Sequence, residues 1–297
     1  MTAATADANT LSARGKRPQS QTAIILRQFR RSPTGMIGGI IIALEILIAL
    51  AAPVVAPYDP LKQNFRSALE SPSADHWFGT DDVGRDVVSR IIYGARISLR
   101  VGMISVAIGA GIGVLLGVIA GFYGRWLDNI IMRFIDVLLA FPGLLLALAI
   151  VAVLGPSLFN VMIAVGIGSI PTYTRMARAT TLSIRERDYV LAARSVGCSN
   201  ARLMLRYILP NAIPPLIVLA TLGVAGAILT AAGLSFIGVG AQPPTPEWGA
   251  MLTSARQYMQ QAWWYTAFPG LAIIVTVVAI NMVGDALRDA LDPKMRR

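Results

Sequence analysis

Long apolar runs alternate with short polar stretches along nearly the whole chain. A hydrocarbon core about 30 Å thick asks for about 20 apolar residues per helix, and the pattern predicts six spans on that basis. They cover residues 36–56, 97–122, 134–154, 158–173, 214–238 and 266–287. Gly155, Pro156 and Ser157 separate the third from the fourth, a turn signal that predicts a tight hairpin. The fourth span is short and interrupted by Pro171. The expected fold class is an all-α polytopic membrane protein. Its parts are a tail at 1–33, a first anchor at 34–57, a loop with an amphipathic helix at 58–96, a five-span core at 97–288 and a tail at 289–297.

Composition supports the bilayer as solvent. Hydrophobic residues make up 55% of the chain, charged ones 14%, and the mean hydropathy is +0.61, far from the balance of a soluble domain. The formal charge is +10, yet the bases sit in short tracts between apolar runs. They form no stripe or aromatic platform, which speaks against nucleic acid. Their distribution gives an orientation instead. Six bases fall in 1–33 and seven arginines in 174–211, whereas the 58–95 loop sets four bases against six acids. Bases favour cytoplasmic loops, so both termini and the arginine-rich loop are expected in the cytoplasm. The first apolar run comes late and is long enough to span, so an uncleaved anchor is expected. Cys198 is the single cysteine, which excludes an internal disulfide.

Several features could carry function. Gly109, Gly113, Gly117 and Gly121 recur every fourth residue, lining one face that allows another helix to approach closely. That helix could belong to this chain or to a second subunit. Glu45 lies mid-span, where an acid costs about 3 kcal/mol. It faces protein or is protonated; a proton relay would need partners at its depth, and Asp136 and Asp285 fall nearer the span ends. His76 with Asp81 and Asp82 would make a poor preorganised cation site, so no metal is expected. Trp248, Trp263 and Trp264 are expected at the membrane interface.

The 186–211 loop is the most informative stretch. Helix formers dominate from Asp188 to Val196, Gly197 fits a helix stop, and Ser199 or Asn200 restarts a helix. Small residues at Ala192, Ala193 and Gly197 suit a knob that inserts into a partner's groove. This loop resembles the EAA motif of ABC importer permeases: Ala192, Ala193, Gly197, Leu209 and Pro210 match in type and spacing. Leu191 stands where the motif has glutamate. The 76–99 and 234–252 stretches, with Pro57 to Pro60 after the first span, resemble the second permease subunit of the dipeptide/oligopeptide/nickel branch.

That resemblance implies a type I importer permease fold with a cytoplasmic coupling helix, in a bacterial inner membrane. It implies a homologous permease, two ATPase subunits that bind the ATP and magnesium, and an extracytoplasmic substrate-binding protein. Residues 188–200 would dock on an ATPase subunit, with Asp188 and Leu191 among the contacts. Asp81, Asp82, Gly84, Arg85, Asp86, Pro243, Pro244 and Trp248 would form the extracytoplasmic gate or binding-protein contact. The chain has no Gly-x-x-x-x-Gly-Lys-Ser/Thr loop, so ATP hydrolysis belongs elsewhere, and no cofactor or catalytic constellation is expected. The rival class, an ion-gradient-driven secondary transporter, would show paired broken helices and ionisable groups at mid-membrane. Di- or oligopeptides are the expected cargo; nickel chelates, glutathione, sugars and opines are alternatives in the branch.

Overall fold

The computed structural model describes residues 27–291. Most of both expected tails, including Arg14, Lys16 and Arg17, lies outside that range. The first helix, α1 (Pro33–Leu50), begins where the Ser32 hydroxyl accepts from the Gly35 amide at 3.2 Å and Pro33 presets the first turn. After a single helical turn at Ala52–Val55 comes the next long helix, α2 (Val87–Tyr123), capped by Asp86. Then come α3 (Arg125–Leu139), α4 (Gly143–Leu154), α5 (Leu158–Arg185) and α6 (Asp188–Ser195). The last are α7 (Leu209–Phe236), α8 (Trp248–Ala255) and α9 (Trp263–Leu291). One isolated bridge, Thr80 with Asp86, is the sole strand-like pairing among the described residues.

The six-span plan is matched in part. Four helical stretches are long and apolar enough to cross a membrane: α1, α2, residues Asn200–Phe236 and α9. The third expected span is instead a pair, α3 and α4, bent by 89°. The cause is Phe141-Pro142-Gly143: proline lacks the amide that would continue the ladder and disfavours helix at the residue before it. The fourth expected span is the first half of α5, which runs unbroken through Pro171. Its second half turns polar from Arg175, and it falls short of the apolarity of the other four. By length and apolarity alone the described residues give four spans, or five with the bent pair as one.

The boundary expected at residue 96 falls inside α2. Its 37 residues extend about 55 Å, so the amphipathic segment and the span form one continuous rod. The restart after Gly197 is also continuous: Asn200–Arg202, a π-helical stretch Leu203–Ile208 and α7 follow without a gap. Pro210 stands two residues past the π turns, where a regular ladder would have needed its missing amide.

Small residues set the packing. A Cβ added to Gly113 would stand 2.7 Å from the Ile170 carbonyl oxygen, and one on Gly121 2.8 Å from the Thr181 Cβ. Gly109 and Gly117 meet Ser169 and Ala177 of the same helix in the same way. The glycine face of α2 is therefore filled by α5 within the chain. Likewise Gly38 brings α1 against α9, where a Cβ would be 2.7 Å from the Ala279 carbonyl. Glu45 joins this second seam: its Oε1 accepts from the Thr276 hydroxyl at 3.0 Å, and Oε2 is buried without a partner among the described residues.

Candidate functional site

The α5–α7 connection folds as a small cap on the ends of α2, α5 and α7. Two residues separate α5 from α6, and the Arg187 amide turns back to the Ile184 carbonyl at 3.0 Å. Asp188 opens α6 and Arg194 lies in its last turn, each on the side of the helix dipole that favours its charge. At the far end the Cys198 amide donates to the Ala193 carbonyl at 3.1 Å and the Gly197 amide to the Arg194 carbonyl at 3.0 Å. That pair is a Schellman stop, with Gly197 in the left-handed region at φ 83°. Nothing lies within 4 Å of where a Gly197 Cβ would stand. Backbone conformation, not crowding inside the chain, is what requires glycine there.

The faces of α6 are sharply divided. Val190 and Ala193 are buried in a cluster with Phe122, Ala177, Ile184, Leu203 and Ile208. The Arg194 guanidinium lies 5.8 Å from the centre of the Phe122 ring. Facing outward are Asp188, Tyr189, Leu191, Ala192 and Val196, and Val196 is 81% exposed. This changes the sequence reading in two ways. Ala193 packs beneath the knob, inside the chain's own cluster. Val196 and Tyr189, the most prominent outward apolar groups, were not singled out from the motif pattern. Leu209 is half-buried and Pro210 exposed at the base.

The opposite end is a braced knot. Asp81 is 0% exposed; its Oδ1 accepts from the Val83 and Arg85 amides at 3.0 and 2.8 Å, and its Oδ2 from Arg85 Nε at 2.6 Å. Arg90 reaches the same carboxylate at 3.5 Å and donates to the Pro60 and Pro244 carbonyls. Asp86 caps α2 through the Ser89 amide at 2.8 Å and meets His76 Nδ1 at 2.9 Å. Gly84 adopts φ 77°, where a Cβ would strike the Asn64 carbonyl. Trp248, 2% exposed, donates to the Ile91 carbonyl at 3.1 Å, and Trp264 to the Thr80 carbonyl at 3.2 Å.

Most of the residues expected at the gate or binding-protein contact lie inside this knot. Asp81, Gly84, Arg85, Asp86 and Trp248 are buried and hold loops together. Asp82 is half-exposed and accepts from the Tyr265 hydroxyl at 3.0 Å; only Pro243 and Pro244 of that set present open surface. Trp248 and Trp264 are interior rather than interfacial; Trp263 is exposed. Beside this knot Glu247 caps α8, accepting from the Gly249 and Ala250 amides at 3.0 and 2.9 Å. Burial pushes its carboxyl above the ordinary range, and these two amides hold it partly back.

Between the two ends an apolar groove of about 440 Å³ opens along α2, α4, α5 and α7. Ser169, Thr172, Tyr173 and Thr230 supply its hydroxyls, among Val106, Leu144 and Ala147. Tyr173 fits because Gly223 has no side chain: a Cβ there would strike the phenol oxygen. No motif marks these residues, since they come from distant parts of the chain.

Comparison with known proteins decides the family. Residues 113–297 match the binding-protein-dependent transport system inner membrane component. The chain belongs to that family. Residues 20–72 match the N-terminal TM domain of oligopeptide transport permease C. Dipeptide transport system permease protein DppC of Alkalihalophilus pseudofirmus is 50% identical over 91% of this chain and 89% of its own length. Di/tripeptide transport system permease protein DppC of Pseudomonas aeruginosa is 52% identical over 88% and 89%. Glutathione transport system permease protein GsiD of Escherichia coli is 49% identical over 91% and 89%. Among solved structures, the inward-facing MetNI methionine ABC transporter aligns with a TM-score of 0.56 at 19% identity, over 68% of this chain and 96% of the other. The permease thus shares the fold of ABC importer permeases and is a transport subunit rather than an enzyme.

Proposed function

We propose that this permease forms half of the passage of an ATP-driven importer for di- or oligopeptides. The second half is a homologous permease, and energy arrives from two ATPase subunits that dock on the 188–200 knob. The basic end of the molecule faces the cytoplasm, with both termini, and the braced knot faces outward beneath a substrate-binding protein. The names of the similar permeases support the cargo class.

One observation carries the coupling role. The knob is packed inward and carries apolar groups outward: Val190 and Ala193 key it into the α2, α5 and α7 ends, while Val196 and Leu191 stand exposed among Asp188, Arg194 and Ser195. A free polar loop would gain nothing from outward Leu and Val, whereas a partner's groove buries them at roughly 25 cal/mol per Å². With Leu191 at the motif's glutamate position, the contact on that side is apolar rather than a salt bridge. Because α6 is fixed to α5 and α7, displacement of the knob moves both helices and the groove between them. The test is ATP-driven uptake by proteoliposomes containing the whole importer. Because Val196 is 81% exposed in the permease itself, Val196→Arg should leave folding and membrane insertion of the permease intact and abolish most stimulation of ATPase by loaded binding protein; normal uptake and normal stimulation would sink the coupling role.

A further inference from the structure

We infer that α3 is an in-plane helix whose exposed apolar stripe lies in the lipid boundary of the bilayer. The stripe is Trp126, Ile130, Phe134 and Val137, each more than half exposed. At 100° per residue these four fall within a sector about 80° wide, a continuous ridge along the helix. The opposite side is committed to the chain: Ile135 is fully buried, and Asp128 and Asp136 bond to Arg178 and Arg175.

Three observations identify the occupant. First, α3 stands at 89° to α4, its nearly all-apolar partner in the bent pair, so α3 runs across the direction in which α4 enters the apolar layer. Second, the ion pairs fix its depth. From Leu158 to Thr174 α5 has no charged residue, and Arg175 is the first; α3 is tied to α5 at that level, where the bilayer interior gives way to headgroups. Third, the ridge carries its own interfacial markers. Trp126 is the residue type favoured at headgroup depth. Exposed Arg133 flanks Trp126 about 20° to one side, placed to reach lipid phosphates as the apolar ridge enters about 5–10 Å. Arg133 beside the ridge also disfavours a second permease as its cover, since interface centres are depleted of charge.

The consequence is mechanical. Lipid seating of α3 ties the far half of α5 to the membrane surface through the Asp128–Arg178 and Asp136–Arg175 pairs. The placement needs only that the permease spans a membrane, so it stands or falls separately from the coupling role.

Fluorescence quenching tests it on the whole importer in phosphatidylcholine–phosphatidylglycerol nanodiscs. The difference between wild type and Trp126→Phe isolates the Trp126 signal from the other four tryptophans. Lipids brominated at the upper acyl carbons should quench that signal at least twofold more than lipids brominated near the chain ends. Aqueous iodide should have little effect. Ile130→Trp in the Trp126→Phe background should behave the same way. Iodide quenching without bromolipid quenching would place the ridge in water. Quenching by neither would place it under the second permease. Either result overturns the inference.

Discussion

Arg178 of α5 grips Asp128 of α3 through two bonds, Nε to Oδ1 and Nη2 to Oδ2, both at 2.6 Å. The fork geometry gives this pair strength and a fixed orientation together. One turn earlier, Arg175 bonds Asp136 at 2.8 Å, but that pair is more than half exposed and adds little. Asp128→Asn should therefore cost the folded permease about 2 kcal/mol, whereas Asp136→Asn should be near neutral. Unfolding midpoints of the purified importer in nanodiscs check this, with Asp128→Asn lower by several degrees. Equal midpoints would assign the docking of α3 to apolar contacts alone.

The glycine seam makes a sharper demand. At Gly117 any Cβ collides with the Thr174 carbonyl of α5, and backbone cannot step aside as a side chain can. Gly117→Val should reduce folded yield severely, at a cost of about 3 kcal/mol in overpacking. Gly111, between Gly109 and Gly113 in sequence but about 160° round the helix from each, has nothing within 4 Å. Gly111→Val in the same helix should fold normally, so detergent-solubilised yield separates collision from loss of glycine as such.

Glu247 gives a pH dependence. Its native carboxyl lies above the ordinary value of 4.5 because burial disfavours the charged form. The folded state then holds a proton that the unfolded chain has released. Stability contributed by the neutral acid is complete below pH 4.5 and is lost as pH rises through the higher native value. Unfolding midpoints should fall over that window and level off above it. Glu247→Gln keeps one acceptor for the α8 amides and should flatten this component; an unchanged slope would assign it to other groups.

Asp81 is a fourth target. It accepts from two amides and the Arg85 guanidinium while fully buried. Asp81→Asn leaves the buried Arg85 with only Asp82, 3.9 Å away, as counter-charge, at a cost of about 3 kcal/mol. Asp81→Asn with Arg85→Met should recover part of that loss. A double variant worse by the full sum of the single effects would show that the pair is not coupled.

Much of this was legible in the sequence, and the failures have physical causes. Periodicity located α1, α7 and α9 because each is a nearly unbroken apolar run. The knob was legible because its signals are local: a helix, a glycine stop and a proline return. The bend at Pro142 was missed because Phe134 to Leu154 is apolar on both sides of it, and hydropathy carries no direction. The acids and Trp248 of the outer loops looked like surface features because composition cannot tell that Asp81 faces Arg85 or that Trp248 meets α2. The groove's Tyr173 depends on Gly223, fifty residues away, a pairing that only the fold creates.

The most direct measurement concerns Val196. A photoreactive amino acid placed there, in the whole importer, should form its principal adduct with an ATPase subunit. The same group at Pro243, on the opposite loop, should not. ATPase adducts from Val196 at a yield that changes with nucleotide would agree with a knob that moves with its partner. Absence of ATPase adducts from Val196 in an importer that still transports would contradict the coupling role.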